Sequence, residues 1–266
     1  MEIRPERRKL PLLNGSVADV LMKGEGPPLI FLHPAQGRVW SEFLDRLALR
    51  HTVYAPLLPG CDEPDELLSF DGFRDLALYY DDLFRTLRIE RAIVVGHGFG
   101  GMAAAEFSAQ HPDRVSKLIL IASLGLWNDE APIGDIYTTH PSKLGALLFS
   151  EPGGAIAKSV LIPPTKEDWL EVQLALGAAA HFTWPIPDRD LRRRLYRISA
   201  PTLLIWGTSD RIVPPSYADD FAAGLHNARK VLIHGAAHFP YLEKPDEVLH
   251  AIQEFVGASK LDLASA

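Results

Sequence analysis

Ala92-Ile93-Val94-Val95-Gly96-His97-Gly98-Phe99-Gly100-Gly101-Met102-Ala103-Ala104-Ala105-Glu106-Phe107 is the stretch from which the rest of the chain can be placed. Ala92 to Val95 is an apolar run of the kind found in a parallel strand buried on both faces. A glycine-dense turn follows, and from Met102 onward the residues are strong helix formers. Strand, sharp turn and helix in that order make the frame of a nucleophile elbow, Gly-x-Ser-x-Gly. An elbow of this kind aims a serine hydroxyl out of a strained turn, beside the free N–H groups of a helix N-terminus. Here the frame is intact, but the nucleophile position holds Gly98, which has no side chain to attack with.

The alternation continues on both sides of this unit. Upstream, residues 10–23 carry weak strand patterns with a turn at Asn14-Gly15, suited to antiparallel strands at a sheet edge. Leu29-Ile30-Phe31-Leu32 is a second buried strand, ending in His33-Pro34-Ala35-Gln36-Gly37. Trp40, Phe43, Leu44 and Leu47 fall at helical spacing, and Thr52 to Ala55 reads as the next strand, ending at Pro59-Gly60. Residues 72–88 are an amphipathic helix with Phe73, Leu76, Tyr80, Leu83, Phe84 and Leu87 on one face. Downstream of the elbow, Leu118 to Ala122 is another buried strand. Strands alternating with helices predict an α/β fold, a mostly parallel sheet flanked by helices.

The alternation then stops. Residues 126–196 hold several helical stretches and no convincing strand, with Trp127, Phe149, Trp169, Phe182 and Trp184 among them. They read as a helical cap inserted between a first core part, residues 1–125, and a second, residues 197–266. The cap aromatics would form a small core first and a pocket wall second. The strand pattern resumes at Pro201 to Trp206 and again at Lys230 to Ile233, with helices near 216–225 and around Val248, Ile252 and Phe255. The tail beyond Gly257 reads as frayed.

Three further stretches follow strand ends, where open α/β sheets bind ligands. Asp210 lies a few residues beyond the strand ending at Trp206. His238, in Gly235-Ala236-Ala237-His238-Phe239, lies just beyond the last strand. The loop His33-Pro34-Ala35-Gln36 offers backbone N–H groups toward the elbow. A serine at 98 with Asp210 and His238 would give the chain order nucleophile, acid, base. In that arrangement the acid fixes the imidazole tautomer and the base takes the serine proton. The N–H groups of Ala35 and Phe99 would hold a developing oxyanion.

Taken together, these motifs resemble the α/β-hydrolase family, and within it the lid-bearing serine hydrolases, over residues 10–257. The likeness rests on His33-Pro34, Pro59-Gly60, the elbow glycines, Trp206-Gly207 with Asp210 and Pro214, and Gly235 with His238. It implies a small, mostly apolar, ester-like substrate between cap and sheet. The substrate-binding candidates are His33, Gln36, His97, Trp127, Trp184 and Phe239. For His33 and His97 a packing role under neighbouring loops is the stronger reading. The departure from the family pattern is Gly98. A dehalogenase or epoxide hydrolase would need Asp there.

Three functions remain open on the sequence. The chain is a serine-type esterase with its nucleophile lost and little activity left. Alternatively, it is a cofactor-free lyase, isomerase or cyclase using His238 as general base. A third possibility is a small-molecule binding protein on a hydrolase fold.

Other classes are excluded by composition and motif. The net charge of −7 without a large basic patch argues against nucleic acid. The cluster Arg192-Arg193-Arg194 reads as a solvated helix face. No apolar run is long enough to span a bilayer. The start, Met1 to Arg8, shows no apolar signal region, and Cys61 is the only cysteine, so a cytoplasmic protein without disulfides is expected. Neither a metal-ligand cluster nor a cofactor is expected. The run Gly96 to Gly101 mimics a dinucleotide fingerprint, but no acidic residue is placed to end a following strand for ribose recognition.

Overall fold

The structure is a computed structural model that describes residues 4–37, 40–185 and 188–257. The tail beyond Gly257 lies outside these residues. The described residues form one eight-stranded sheet: β1 (Glu6–Pro11), β2 (Val17–Lys23), β3 (Pro28–Leu32), β4 (Thr52–Pro56), β5 (Ala92–His97), β6 (Val115–Ile121), β7 (Thr202–Gly207) and β8 (Ala228–Ile233). The spatial order is β1-β2-β4-β3-β5-β6-β7-β8. β1 and β2 pair antiparallel, as β2 does with β4, and all later pairs are parallel. The weak patterns before residue 24 are thus the antiparallel edge. The continuous apolar runs are the central strands; every residue of β5 and β7 is buried.

The helices are α1 (Glu42–Leu47), α2 (Phe73–Thr86), α3 (Phe99–Gln110), α4 (Pro141–Leu148), α5 (Ala155–Leu161), α6 (Lys166–Thr183), α7 (Tyr217–Gly224), α8 (Pro240–Glu243) and α9 (Pro245–Gly257). α2 buries Phe73, Leu76, Tyr80, Leu83 and Phe84 as its spacing predicts. Leu87 falls one residue past the helix, at its C-cap. α3 packs against β5, β6 and α2 and is buried from Phe99 to Ala109, charged Glu106 included. The segment between β6 and β7 carries α4, α5 and α6. The last of these starts with a capping box, Thr165 and Asp168 each bonding the other's backbone N–H.

Glu106 explains a departure from the sequence reading. A buried carboxylate needs a cationic partner. Arg194 supplies one, its guanidinium spanning both oxygens at 3.0 and 2.5 Å. The arginine cluster is therefore not simply a solvated face: Arg194 ties the chain just before β7 to α3. Arg192 and Arg193 point to Asp220 and Asp190 at the surface.

Parallel register brings the strand ends to one edge. Leu32 pairs with Gly96, Gly96 with Leu120, Ile121 with Ile205, and Gly207 with Ile233. The residues that follow, His33-Pro34, Gly98, Thr208-Ser209-Asp210 and Gly235 to His238, therefore leave the sheet side by side. Two elbow glycines set how closely α3 approaches that edge. A Cβ on Gly100 would lie 2.0 Å from the Leu32 carbonyl oxygen, and one on Gly96 would lie 2.2 Å from the Gly100 carbonyl oxygen. Those contacts are backbone, which cannot swing aside as a flexible side chain can.

Gly100→Ala is expected to destabilise the fold by about 3 kcal/mol or more, or to prevent folding. Gly177→Ala, exposed within α6 with nothing near its Cβ position, is expected to stabilise by about 0.5–1 kcal/mol. Urea unfolding of the two variants beside the parent checks both signs.

Candidate active site

Gly98 sits between the last residue of β5 and the first of α3, at φ 54° and ψ −112°. Its N–H donates to the Ile121 carbonyl at 3.0 Å, and its own carbonyl accepts from Leu124 at 3.0 Å and Met102 at 3.2 Å. The turn is thus pinned from three sides in a conformation that strains any L-side chain. It differs from Gly96 and Gly100 in what surrounds it. The atoms nearest to a Cβ at 98 are side-chain atoms, His238 Nε2 at 3.3 Å and Pro34 Cβ at 3.9 Å. A side chain at 98 would point at the imidazole, which would have to give by a few tenths of an ångström.

His238 and Asp210 are both buried, 3% and 4% exposed. His238 Nδ1 lies 2.9 Å from Asp210 Oδ2. The carboxylate can only accept, so Nδ1 carries the proton and Nε2 is left as the lone-pair nitrogen turned toward position 98. Asp210 is oriented in turn by the N–H groups of Ile212 and Val213, both donating to Oδ1 at 2.8 and 3.0 Å. Trp206 locks that turn by donating its indole N–H to the Val213 carbonyl at 3.1 Å.

The His238 loop is also held from the segment between β6 and β7. The His238 N–H donates to the Leu148 carbonyl at 3.1 Å. Phe239 stacks on Phe149, ring centroids 5.2 Å apart and nearly parallel. Glu243 accepts the Ala237 N–H at 2.6 Å with one oxygen, and the Ser150 N–H and hydroxyl at 2.7 and 2.5 Å with the other. No sequence signal singles out Glu243, because its partner Ser150 is 93 residues away.

A cavity of about 190 Å³ opens beside this group. Ala35, Phe99 and His238 line it together, which puts the two candidate oxyanion residues and the candidate base on one wall. Phe99 begins α3, so its N–H has no partner within the helix. The rest of the wall is mostly apolar: Leu124, Trp127, Ile133, Ile136, Pro185 and Ile212, with Gln36, Asp135, Tyr137 and Thr183 as polar members. Tyr137, Thr183 and the isoleucines were not among the sequence candidates; they come from loops and helix ends without a motif.

Of the six substrate-binding candidates, Gln36 and Trp127 line the cavity and the others do not. Trp184 is 46% exposed and touches Tyr137 edge-on, one residue outside the wall. Phe239 lies behind His238. His33 is buried; its Nδ1–H donates to the Pro34 carbonyl at 2.7 Å, and its Nε2 accepts the Leu58 N–H at 2.9 Å. His97 donates from Nε2 to the His238 carbonyl at 2.8 Å, and Tyr241 faces its Nδ1 at 3.4 Å. Both histidines are therefore neutral struts. Burial lowers the pKa of His33 against a smaller opposing effect of the Pro34 carbonyl. Burial, then the neighbouring His238, pushes His97 well below the ordinary value. Burial pushes the Cys61 thiol up to about 12, which leaves it no thiolate character at neutral pH. His181 Nε2 donates to the Phe70 carbonyl at 2.8 Å.

The model of the alpha/beta hydrolase family matches residues 29–251. An uncharacterised protein of Mycobacterium tuberculosis (strain H37Rv) is 25% identical over 287 residues, covering 97% of this chain and 84% of its own. The pimeloyl-[acyl-carrier protein] methyl ester esterase of Aliivibrio salmonicida is 25% identical over 252 residues, 88% of this chain and 94% of its own. Among solved structures, a serine hydrolase involved in carbazole degradation superimposes with a TM-score of 0.76 at 20% identity, covering 95% of this chain and 98% of its own. No helix among the described residues is long and apolar enough to cross a membrane.

The two neutral struts give the fold an acid sensitivity. In the unfolded chain histidines titrate near 6.5. With folded values below that, the unfolded state binds more protons as pH falls below about 6.5, and stability drops with it. Urea unfolding is expected to show no contribution from His33 and His97 above pH 7 and a loss from pH 6.5 toward 5. A stability that rose over that interval would mean that these histidines are charged in the fold.

Proposed function

We propose that this chain, which belongs to the alpha/beta hydrolase family, binds a small, mostly apolar, ester-like molecule in the cavity beside His238, and that Gly98 holds its own hydrolysis near zero. In this reading residues 126–196 act as a cap over a core made of residues 1–125 and 197–266. One observation carries the proposal. The side-chain direction at 98 points to within 3.3 Å of an imidazole nitrogen whose other nitrogen is bonded to Asp210. A serine hydroxyl placed there comes within hydrogen-bond reach of His238 Nε2.

With serine at 98 the steps follow from the geometry. His238 Nε2 takes the hydroxyl proton as Oγ attacks the ester carbonyl, and Asp210 stabilises the imidazolium. The carbonyl oxygen gains its negative charge beside the N–H groups of Ala35 and Phe99. The tetrahedral intermediate collapses, the proton passes from His238 to the departing alcohol, and an acyl-serine remains for water to release. With glycine, no acyl-enzyme can form. Removing the nucleophile from such a site leaves roughly 10³–10⁴-fold over water, from positioning and oxyanion binding alone. That one relative is a methyl ester esterase supports the ester class.

A second reading is favoured by the same imidazole. Among the described residues Nε2 of His238 has no hydrogen-bond partner, and it faces the cavity next to the two N–H groups. A base and an oxyanion site suffice for abstracting a proton next to a carbonyl, a reaction that needs no serine.

Gly98→Ser separates the two. On p-nitrophenyl butyrate the variant is expected to gain at least 100-fold in kcat/KM over the parent, and His238→Ala on top is expected to remove the gain. The serine is also expected to cost about 1 kcal/mol of stability, since it restores strain at a positive φ. A folded Gly98→Ser chain without gain overturns the acyl-transfer reading and leaves proton abstraction by His238.

A further inference from the structure

Gln36 is 8% exposed, and no hydrogen bond to its side-chain amide is formed by any described residue. No fully occluded polar side-chain atom in the described structure lacks a partner. The amide therefore reaches open space, and the cavity is where Gln36 meets it. A carboxamide with two donors and two acceptor lone pairs, almost wholly buried and unpaired, is an incomplete hydrogen-bond set.

His238 keeps Nε2 free beside position 98; Thr183, Tyr137 and Asp135, the remaining polar side chains named in the wall, already have partners. Thr183 donates its hydroxyl proton to the Ala179 carbonyl at 2.8 Å, so its Oγ1 takes the Tyr137 hydroxyl proton, also at 2.8 Å. Tyr137 then offers the cavity only lone pairs. Burial pushes its phenol up to about 12, so it stays neutral. Asp135 accepts the N–H groups of Tyr137 and Thr138 at 2.8 and 3.0 Å and the Thr138 hydroxyl at 2.6 Å. Asp135 is exposed, so this anion sits at the solvent edge of the wall with its bonds made. No lysine or arginine lines the cavity among the described residues.

We infer that the cavity selects a neutral ester carrying a hydroxyl or similar uncharged hydrogen-bonding group on the carbon next to the reacting carbonyl, and that Gln36 reads that group. The inference rests on the reading above that the cavity holds an ester. For position, Gln36 adjoins Ala35 and lines the same cavity; with the carbonyl oxygen assigned to the Ala35 N–H, we place the Gln36 amide beside the neighbouring carbon. Charge follows from the wall: an anionic group would leave water for a mostly apolar cavity that no lysine or arginine lines among the described residues, and Asp135 at its exposed edge adds a like charge. Selectivity follows from desolvation. A ligand without the polar group expels water from the amide and leaves it unpaired, which is how a polar site rejects an apolar analogue.

Three esters of one skeleton test this: ethyl phenylacetate, ethyl mandelate with its α-hydroxyl, and ethyl hydrogen phenylmalonate with an α-carboxylate. Their affinities for the unaltered chain are measured by calorimetry at pH 8, with Trp127 in the wall as a fluorescence reporter. Mandelate is expected to bind about tenfold tighter than phenylacetate, one net hydrogen bond, and the phenylmalonate weakest of all. In Gln36→Leu the mandelate advantage is expected to disappear while phenylacetate binds at least as well as before. Equal binding of mandelate and phenylacetate by the unaltered chain overturns the inference, as does tightest binding of the anion or a mandelate preference that survives Gln36→Leu. The ranking in the unaltered chain decides even if that variant does not fold. If none of the three binds, the ester-binding reading fails first and this one with it. If the ranking holds but Gly98→Ser hydrolyses nothing, only the acyl-transfer reading fails.

Discussion

The first turn of α3 rests against the carbonyl ends of β3 with no room for a methyl group between them. A Cβ on Gly100 would come within 2.0 to 2.5 Å of the Leu32 and His33 carbonyls. Much of the candidate site depends on that contact. It lets the N-terminus of α3 lie beside the His33-Pro34-Ala35 loop, so Phe99 and Ala35 share one wall. It also fixes the direction in which position 98 looks. The backbone at Gly98 follows from it: β5 must turn into α3 within one residue, at φ 54°, a conformation that glycine adopts without strain.

Most of this arrangement was legible in the sequence, because it depends on short distances along the chain. A buried apolar run announces each central strand, and a site residue lies a few positions past its end. Asp210 and His238 could be named without seeing them meet, since parallel register leaves their loops side by side. What was not legible depends on partners far apart in sequence. Glu106 looks like a helix-surface carboxylate until Arg194, 88 residues on, is found spanning it. Tyr137 and Thr183 carry no motif, and their shared hydrogen bond crosses 46 residues. His33 follows β3 and His97 ends β5, both at the site edge of the sheet, but neither lines the cavity. The sequence gives a side chain's place on the chain and not the direction in which it packs.

The candidate base is fixed well beyond what its pairing with Asp210 requires. Its N–H is bonded to Leu148 and its carbonyl to His97, and the preceding residue is held by Glu243. Because Glu243 also holds Ser150, the loop that carries the base and the segment between β6 and β7 are tied into one unit. Preorganisation of this kind is what a reacting group needs and what a surface loop does not. Position 98 differs from its neighbours: the atoms nearest to a Cβ there are side-chain atoms, while Gly96 and Gly100 on either side are fixed by backbone contact.

Folding alone does not account for the pair that remains. A buried His–Asp pair loses hydration on both partners, and its hydrogen bond returns about what was lost. Apolar residues of similar volume would stabilise this edge of the sheet as well or better. The pair nevertheless has its carboxylate fixed by two backbone N–H groups and its free nitrogen turned into a cavity instead of toward a protein acceptor. Glycine at 98 avoids strain of the order of 1–3 kcal/mol that an L-side chain would carry at this turn. The chain is thus relaxed at position 98 and still organised around His238. That combination fits a site that holds a carbonyl compound against an imidazole better than one that no longer does anything.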